Sequence, residues 1–186
     1  MKRSFVAAGL RLTAALWVAG WAGCQRGGAD GHPEAPPAAL SPRSDLVPVG
    51  QQAPDFQASD ASGSRLRLSE LLKKNNVVLI LYPGDFTPGC TKQLCAVRDD
   101  WSRFEKNGIA VLGVNPADAA QHARFAGEYR FPFRLIVDEG SKIAAAYGAA
   151  GTLGTQRTVY AIRRDGKVAL AERGFVDHDK NIAALK

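Results

Sequence analysis

Two cysteines five residues apart are the first candidates for chemistry in this sequence. Cys90 and Cys95 lie in the stretch YPGDFTPGCTKQLC, which directly follows a strongly apolar run. Such a pair can be a redox couple, part of a metal site or a structural disulfide. Cys90 follows a Pro-Gly turn at the expected start of a helix, where free amides and the helix dipole stabilise a thiolate. This position favours a reactive cysteine over a small buried apolar residue.

A metal site has little support in the pattern of possible ligands. The chain has three cysteines and three histidines, and no histidine lies near Cys90 and Cys95 in sequence. A structural zinc ion needs about four ligands. We therefore predict neither a metal nor a cofactor.

Strand-like and helix-like stretches alternate around the cysteines from about Val47 onward. The apolar or alternating stretches predict strands at 56–58, 65–68, 77–82, 109–114, 135–137, 158–162 and 168–170. Helices are expected at 70–74, where Ser69 is the N-cap, and at 88–106, 117–129, 141–147 and 177–185. This order predicts an α/β fold of thioredoxin type, with a central mixed β-sheet flanked by helices and an N-terminal β-hairpin.

Residues 1–23 have the pattern of a signal peptide. Cations occupy the start, no acidic residue precedes Asp30, and the apolar run from Leu12 to Ala22 is 11 residues long. That run is shorter than the roughly 20 residues that span a bilayer. It ends in the letters WAGC, which resemble the lipobox of bacterial lipoproteins. We therefore expect export, lipid attachment at Cys24 and a location at the periplasmic face of a bacterial membrane.

Residues 24–46 are rich in glycine, proline and alanine and have no apolar periodicity. This composition predicts a flexible linker between a lipid-bearing Cys24 and a folded domain at residues 47–186. Removal of the leader would also remove its three cations and lower the formal charge from +6 to +3. A charge of that size gives little support for a nucleic-acid partner.

The segment PGDFTPGC fits Pro-x-x-x-Thr-x-x-Cys and thereby resembles the active-site motif of the peroxiredoxins. The longer stretch YPGDFTPGCTKQLCAVRD is similar to the bacterioferritin-comigratory-protein subfamily, also called peroxiredoxin Q. The likeness covers about residues 47–186 through three further stretches, APDF, VLGVNPADAAQHARFAGEYRFPF and RTVYAIRRDGKV. One departure is Gly84, where the subfamily often has a lysine.

The resemblance implies a role for each matching residue. Cys90 would be the peroxidatic cysteine, which attacks a hydroperoxide and becomes a sulfenic acid. Thr87 would place its hydroxyl beside the sulfur, and Pro83 would shape the loop that shields it. Arg157 would supply a fixed positive charge. Cys95 would be the resolving cysteine, which forms an intramolecular disulfide with Cys90.

The implied enzyme is a thiol-dependent peroxidase that reduces hydrogen peroxide and organic hydroperoxides. Its partners would be the hydroperoxide and a thioredoxin-like or other thiol reductant, and the chain would be a monomer or a weak dimer. One alternative is a thiol:disulfide oxidoreductase acting on proteins, but such enzymes usually carry C-x-x-C, and position 93 is glutamine. A copper-binding module is less favoured, because those sites pair C-x3-C with a distant histidine.

Helix geometry constrains how the two cysteines could join. Residues five apart in a helix are displaced by about 7.5 Å along the axis and rotated by about 140°. A disulfide needs Cα atoms within about 7 Å and facing Cβ atoms. We therefore expect Cys90 and Cys95 to lie apart on one helix when reduced, and oxidation to unwind about residues 87–97. A structural disulfide that breaks its own helix would stabilise little.

Overall fold

A computed structural model describes residues 39–175 and 177–186 of the chain. In chain order its strands are β1 (Gln57–Ser59), β2 (Arg65–Arg67), β3 (Asn76–Leu81), β4 (Ile109–Asn115), β5 (Arg134–Val137), β6 (Ala150–Gly151), β7 (Gly154–Thr155), β8 (Thr158–Ile162) and β9 (Val168–Arg173). Its helices are α1 (Leu68–Leu72), α2 (Pro88–Asp99), α3 (Trp101–Lys106), α4 (Ala119–Tyr129), α5 (Lys142–Ala146) and α6 (His178–Ala184). A 3-10 turn, Glu139–Ser141, leads into α5.

Five strands form a mixed sheet in the order β5-β4-β3-β8-β9. Strands β3, β4 and β5 are parallel neighbours, whereas β8 is antiparallel to both β3 and β9. Strands β1 and β2 form a separate antiparallel hairpin near the N-terminal end of the described chain. The predicted thioredoxin-type fold and its N-terminal hairpin are therefore confirmed.

The central strand β3 is buried on both faces, as its continuous apolar sequence predicts. Its alternate side chains divide between two apolar clusters, one on each face of the sheet. Val78 and Ile80 belong to the cluster that contains Cys90 and Leu94 of α2. Helix α2 therefore lies against the face of the sheet that these two strand residues present.

The predicted long helix from 88 to 106 is interrupted at Asp100. The backbone of Asp100 has φ −93° and ψ 9°, and this non-helical conformation separates α2 from α3. The Asp100 carboxylate is bonded by His178 Nδ1 at 2.7 Å and by Arg103 Nη1 at 3.1 Å. Because His178 comes from α6, a tertiary contact accompanies the break, and the periodicity of α2 and α3 does not reveal it.

Ser69 is not the N-cap of the first helix. Helix α1 begins at Leu68, and both the amide and the hydroxyl of Ser69 donate to the Asp55 carboxylate at 2.9 Å. An acceptor from an earlier segment therefore satisfies the helix start, which is a common solution for its unpaired amides. The prediction of Ser69 as an N-cap was wrong because the acceptor lies 14 residues away.

The described end of the predicted linker packs against the domain. Leu40 and Leu46 contact the apolar cluster on the α5 side of the sheet, and the Arg43 amide donates to the Ala145 carbonyl at 3.0 Å. The boundary at residue 47 stays a prediction. Between residues 39 and 186, Val176 aside, no helix is long and apolar enough to cross a membrane.

Candidate active site

Cys90 lies in the first turn of α2 and is completely buried. Pro88 begins this helix, where the missing amide proton of proline costs no hydrogen bond. Cys90 thus lies at the start of a helix, as the sequence predicts. Both Cys90 and Cys95 are free thiols.

Arg157 reaches Cys90 from the loop that precedes β8. Its Nη2 donates to Cys90 Sγ at 3.3 Å, and its Nη1 donates to Gln93 Oε1. The guanidinium carbon lies 4.6 Å from the centroid of the Phe175 ring, which is a cation–π contact. Two hydrogen bonds and one ring therefore hold a permanent cation against the sulfur.

Gly89 leaves room for this arginine. A Cβ atom added there would lie 3.2 Å from Arg157 Nη2, closer than ordinary van der Waals contact. A side chain at position 89 would therefore require the end of the Arg157 side chain to shift by a few tenths of an ångström.

Thr87 and Pro83 are exposed residues of the loop before α2. The Thr87 hydroxyl donates to the Gly84 carbonyl at 3.1 Å, and this bond closes the loop on itself. The structure thus places Thr87 three residues before Cys90 with its hydroxyl engaged in the turn. The predicted roles of Thr87 beside the sulfur and of Pro83 as a shield stay predictions.

Phe86 gives this loop an unusual backbone. Its φ of 59° lies in the left-handed region, which costs a residue with a side chain roughly 1–2 kcal/mol. Its ring packs at 4.8 Å from the ring of Phe125 on α4, which offsets part of that cost. Strained residues of this kind collect in functional loops, and this one directly precedes Thr87.

Cys95 lies one and a half turns beyond Cys90 on the same helix and is half-buried. The two thiols are unbonded in this structure, as expected for the reduced form. Arg98, on the same helix, donates to the Tyr129 carbonyl at 2.8 Å and to Asp99 at 2.9 Å. A continuous α2 therefore keeps Cys95 away from Cys90.

Oxidation by hydroperoxide is expected to unwind α2 but not α3. Two features should limit the change to one helix. One is the break at Asp100, and the other is the pair of bonds to α6 that join Arg103 to Asp179 and Asp100 to His178. Amide exchange in residues 91–99 should rise at least about tenfold, whereas exchange in α3 should not change. Hydrogen exchange with mass spectrometry measures this difference. Unchanged exchange in α2 after disulfide formation would refute the prediction.

Gln93 is a site residue that the sequence reasoning missed. It is 3% exposed and accepts from Arg157 through Oε1, and its Nε2 has no hydrogen-bond partner among the residues that the structure describes. Its signal in the sequence is its spacing, because residues three apart share one helix face. Gln93 therefore lies on the same side of α2 as Cys90 and orients the arginine that contacts the sulfur.

A buried polar cluster also lies beneath the loop. Asp85 accepts hydrogen bonds from Tyr82 Oη and Asn115 Nδ2, both at 2.7 Å, and contacts His122 Nδ1 at 2.8 Å. Burial acts to raise the pKa of Asp85, but the bonds from His122 and Tyr82 outweigh it, and the pKa is lowered. His122 lies far from both cysteines in sequence. A signal was its spacing of three residues from Phe125, which places both on the apolar face of α4.

A family model described as the AhpC/TSA family matches residues 49–171. The chain therefore belongs to the AhpC/TSA family. It is 41% identical over 140 residues to peroxiredoxin Q, chloroplastic, from Populus jackii, and 40% identical over 139 residues to the protein of the same name from Arabidopsis thaliana. Each alignment covers 73% of this chain, but only 65% and 64% of those proteins. The chain thus spans slightly less than two thirds of their length.

A solved structure is also similar to this chain. The peroxidoxin BcpB of Mycobacterium tuberculosis is 34% identical, with a TM-score of 0.69 over 73% of this chain and 94% of that one. The predicted likeness to the peroxiredoxins, on the peroxiredoxin Q branch, is confirmed. The comparisons favour neither the protein disulfide oxidoreductase nor the copper-binding module.

The predicted location at the periplasmic face of a bacterial membrane is contradicted by these comparisons. The relatives from poplar, Arabidopsis and wheat are all named as chloroplastic proteins. The physical reason is that different leaders share a basic, acid-poor start, so such a start does not by itself define a compartment. Cys24 and the predicted leader lie outside the described residues, and lipid attachment at Cys24 stays a prediction from the WAGC pattern.

Proposed function

We propose that this chain is a thiol-dependent peroxidase that reduces hydrogen peroxide and organic hydroperoxides. The observation that carries the proposal is the hydrogen bond from Arg157 Nη2 to Cys90 Sγ, 3.3 Å long, at the buried start of α2. A cation and helix amides that converge on one sulfur stabilise its thiolate. The same donors can stabilise the negative charge that develops on a breaking peroxide bond.

In the first half of the reaction, the Cys90 thiolate attacks one oxygen of the hydroperoxide. A sulfur–oxygen bond forms, the oxygen–oxygen bond breaks, and the leaving oxygen takes up a proton as water or an alcohol. Cys90 is oxidised to a sulfenic acid and the hydroperoxide is reduced. Gln93 and Phe175 hold the guanidinium of Arg157 in place during this step.

In the second half, the Cys95 thiol attacks the sulfenic acid of Cys90. The disulfide forms and water leaves, so that one hydroperoxide consumes the two thiols of one chain. This step needs the unwinding of α2, because an intact helix keeps the two sulfurs apart. A thioredoxin-like or other thiol reductant would then restore both thiols by disulfide exchange.

The simplest test is to add one equivalent of hydroperoxide to the reduced chain. We expect rapid loss of two thiols per chain and a peptide map that joins Cys90 to Cys95. Reduction of insulin disulfides, assayed in parallel, measures the activity of the alternative oxidoreductase. A chain that left hydroperoxide unconsumed but reduced insulin would refute the peroxidase proposal.

The electron donor and the oligomeric state are also part of the proposal. The proposed reductant, thioredoxin-like, rests on membership of the family and on the need to reopen a disulfide within one chain. A monomer or weak dimer stays a prediction. Residues 1–23 are proposed to be a leader and residues 24–46 a linker, and neither is proposed to take part in the chemistry.

A further inference from the structure

The buried polar cluster beneath the loop joins four structural elements. Tyr82 follows β3, Asp85 lies in the loop before Cys90, Asn115 ends β4, and His122 lies on α4. The side chains of Asp85 and His122 are both completely shielded from solvent. A charged group in such a place needs a compensating partner, because burial of an isolated charge is strongly unfavourable.

The hydrogen bonds of His122 define how many protons the cluster holds. Its Nε2 lies 3.2 Å from the Ile136 carbonyl oxygen, which can only accept, so Nε2 carries a hydrogen. Its Nδ1 lies 2.8 Å from Asp85 Oδ2, and two lone pairs would repel at that distance. A proton therefore lies between Nδ1 and Oδ2. The pair of Asp85 and His122 has no net charge.

The hydrogen bonds of Asp85 place that proton on the histidine. Oδ1 already accepts from Tyr82 and Asn115, and the pKa of Asp85 is lowered despite its burial. Burial raises the pKa of Tyr82 well above its ordinary value, so the phenol remains a neutral donor. The cluster thus consists of an imidazolium, a carboxylate and two neutral donors.

The polar cluster adjoins the buried apolar cluster that contains Cys90. Tyr82 donates to Asp85 at 2.7 Å, and its side chain belongs to the same apolar cluster as Cys90. A carboxylate without its imidazolium would oppose a thiolate nearby, since like charges disfavour each other's ionised forms. Arg157 contacts Cys90 Sγ itself and does not contact Asp85 among the bonds of the described residues.

We propose that His122 is a positioning residue of this site, which cancels the Asp85 charge beneath the loop, so that no uncompensated carboxylate opposes a thiolate at Cys90. The groups that face the pair are Tyr82, which follows β3, Asn115 from β4 and the Ile136 carbonyl from β5, and Tyr82 shares an apolar cluster with Cys90 of α2. The proposal rests on Cys90 as the reacting thiol of the proposed peroxidase.

The test is the pH profile of Cys90 alkylation in the full chain, followed by the mass of the peptide that contains Cys90. His122→Asn leaves the Asp85 charge uncompensated. The midpoint of the Cys90 alkylation profile should therefore lie about one pH unit higher in this variant than in the native chain. The double variant Asp85→Asn with His122→Asn removes both charges, and its midpoint should return to that of the native chain. A stability loss shared by both variants cannot produce this pattern.

Two results would overturn the proposal. One is an unshifted midpoint in His122→Asn, and the other is an equal shift in the single and double variants. Should either variant fail to fold, nitrogen NMR of the native chain still decides, because the contacts with Asp85 and the Ile136 carbonyl require protons on both ring nitrogens of His122. A neutral ring there would contradict the proposal. Because alkylation needs no hydroperoxide, failure of the peroxidase activity would be recognised separately.

Discussion

Replacement of Cys90 by serine is expected to abolish hydroperoxide reduction, with a fall in rate of at least about 1,000-fold. A serine hydroxyl at this position is not ionised at neutral pH, so the nucleophile is lost although Arg157 and the start of α2 remain. Cys95→Ser should behave differently, because Cys90 can still form a sulfenic acid. That variant should consume one hydroperoxide per chain and then stop.

Stopped-flow measurement of hydroperoxide consumption, with and without a thiol reductant, separates these two outcomes. Cys24→Ser is the matched control, because Cys24 lies far from the motif in sequence and has no proposed part in the chemistry. Its rate should equal that of the native chain. Retention of native activity by Cys90→Ser would show that Cys90 is not the reacting thiol.

Arg157→Met is expected to lower the second-order rate constant for hydroperoxide by about 100- to 1,000-fold. The change removes the cation at 3.3 Å from Cys90 Sγ and the bond to Gln93, and donors of this kind contribute on that scale. Arg157→Lys should give an intermediate loss. A lysine keeps the charge, but its compact ammonium cannot reproduce the fork that bonds Cys90 and Gln93 together.

The matched control for this prediction is Arg164→Met. Arg164 is exposed and follows β8, whereas Arg157 precedes it, so the two changes remove the same charge from opposite ends of one strand. The control should retain the native rate constant. A rate constant in Arg157→Met equal to that of the native chain, together with a native circular dichroism spectrum, would contradict a catalytic role for Arg157.

The sequence predicts the features that depend on local pattern. A continuous apolar run identified β3 as a central strand, and Pro88 marked the start of the helix that carries Cys90. Spacing along a helix also predicted that Cys95 stands apart from Cys90 when both are reduced. These predictions succeed because strand burial and helix geometry are encoded within a few neighbouring residues.

The remaining features depend on partners that are distant in sequence. The helix break at Asp100 is bonded to His178, 78 residues later, and Arg157 meets Cys90 across 67 residues. Arg157 was found only through resemblance, because a strand-end arginine has no local signal of catalysis. The pairing of Asp85 with His122 likewise appears only when the fold brings α4 to the loop.

The break at Asp100 has an energetic consequence for the redox couple. Because α3 is bonded to α6, disulfide formation is expected to unfold only α2, a helix of 12 residues that is intact in the dithiol form. On this expectation, the free energy of forming α2 enters the reduction potential of the Cys90–Cys95 pair. Each 1.4 kcal/mol of helix stability should make the disulfide about 30 mV more oxidising. Exposed helix positions, such as Lys92 and Ala96, can thus tune the potential without contact with either sulfur.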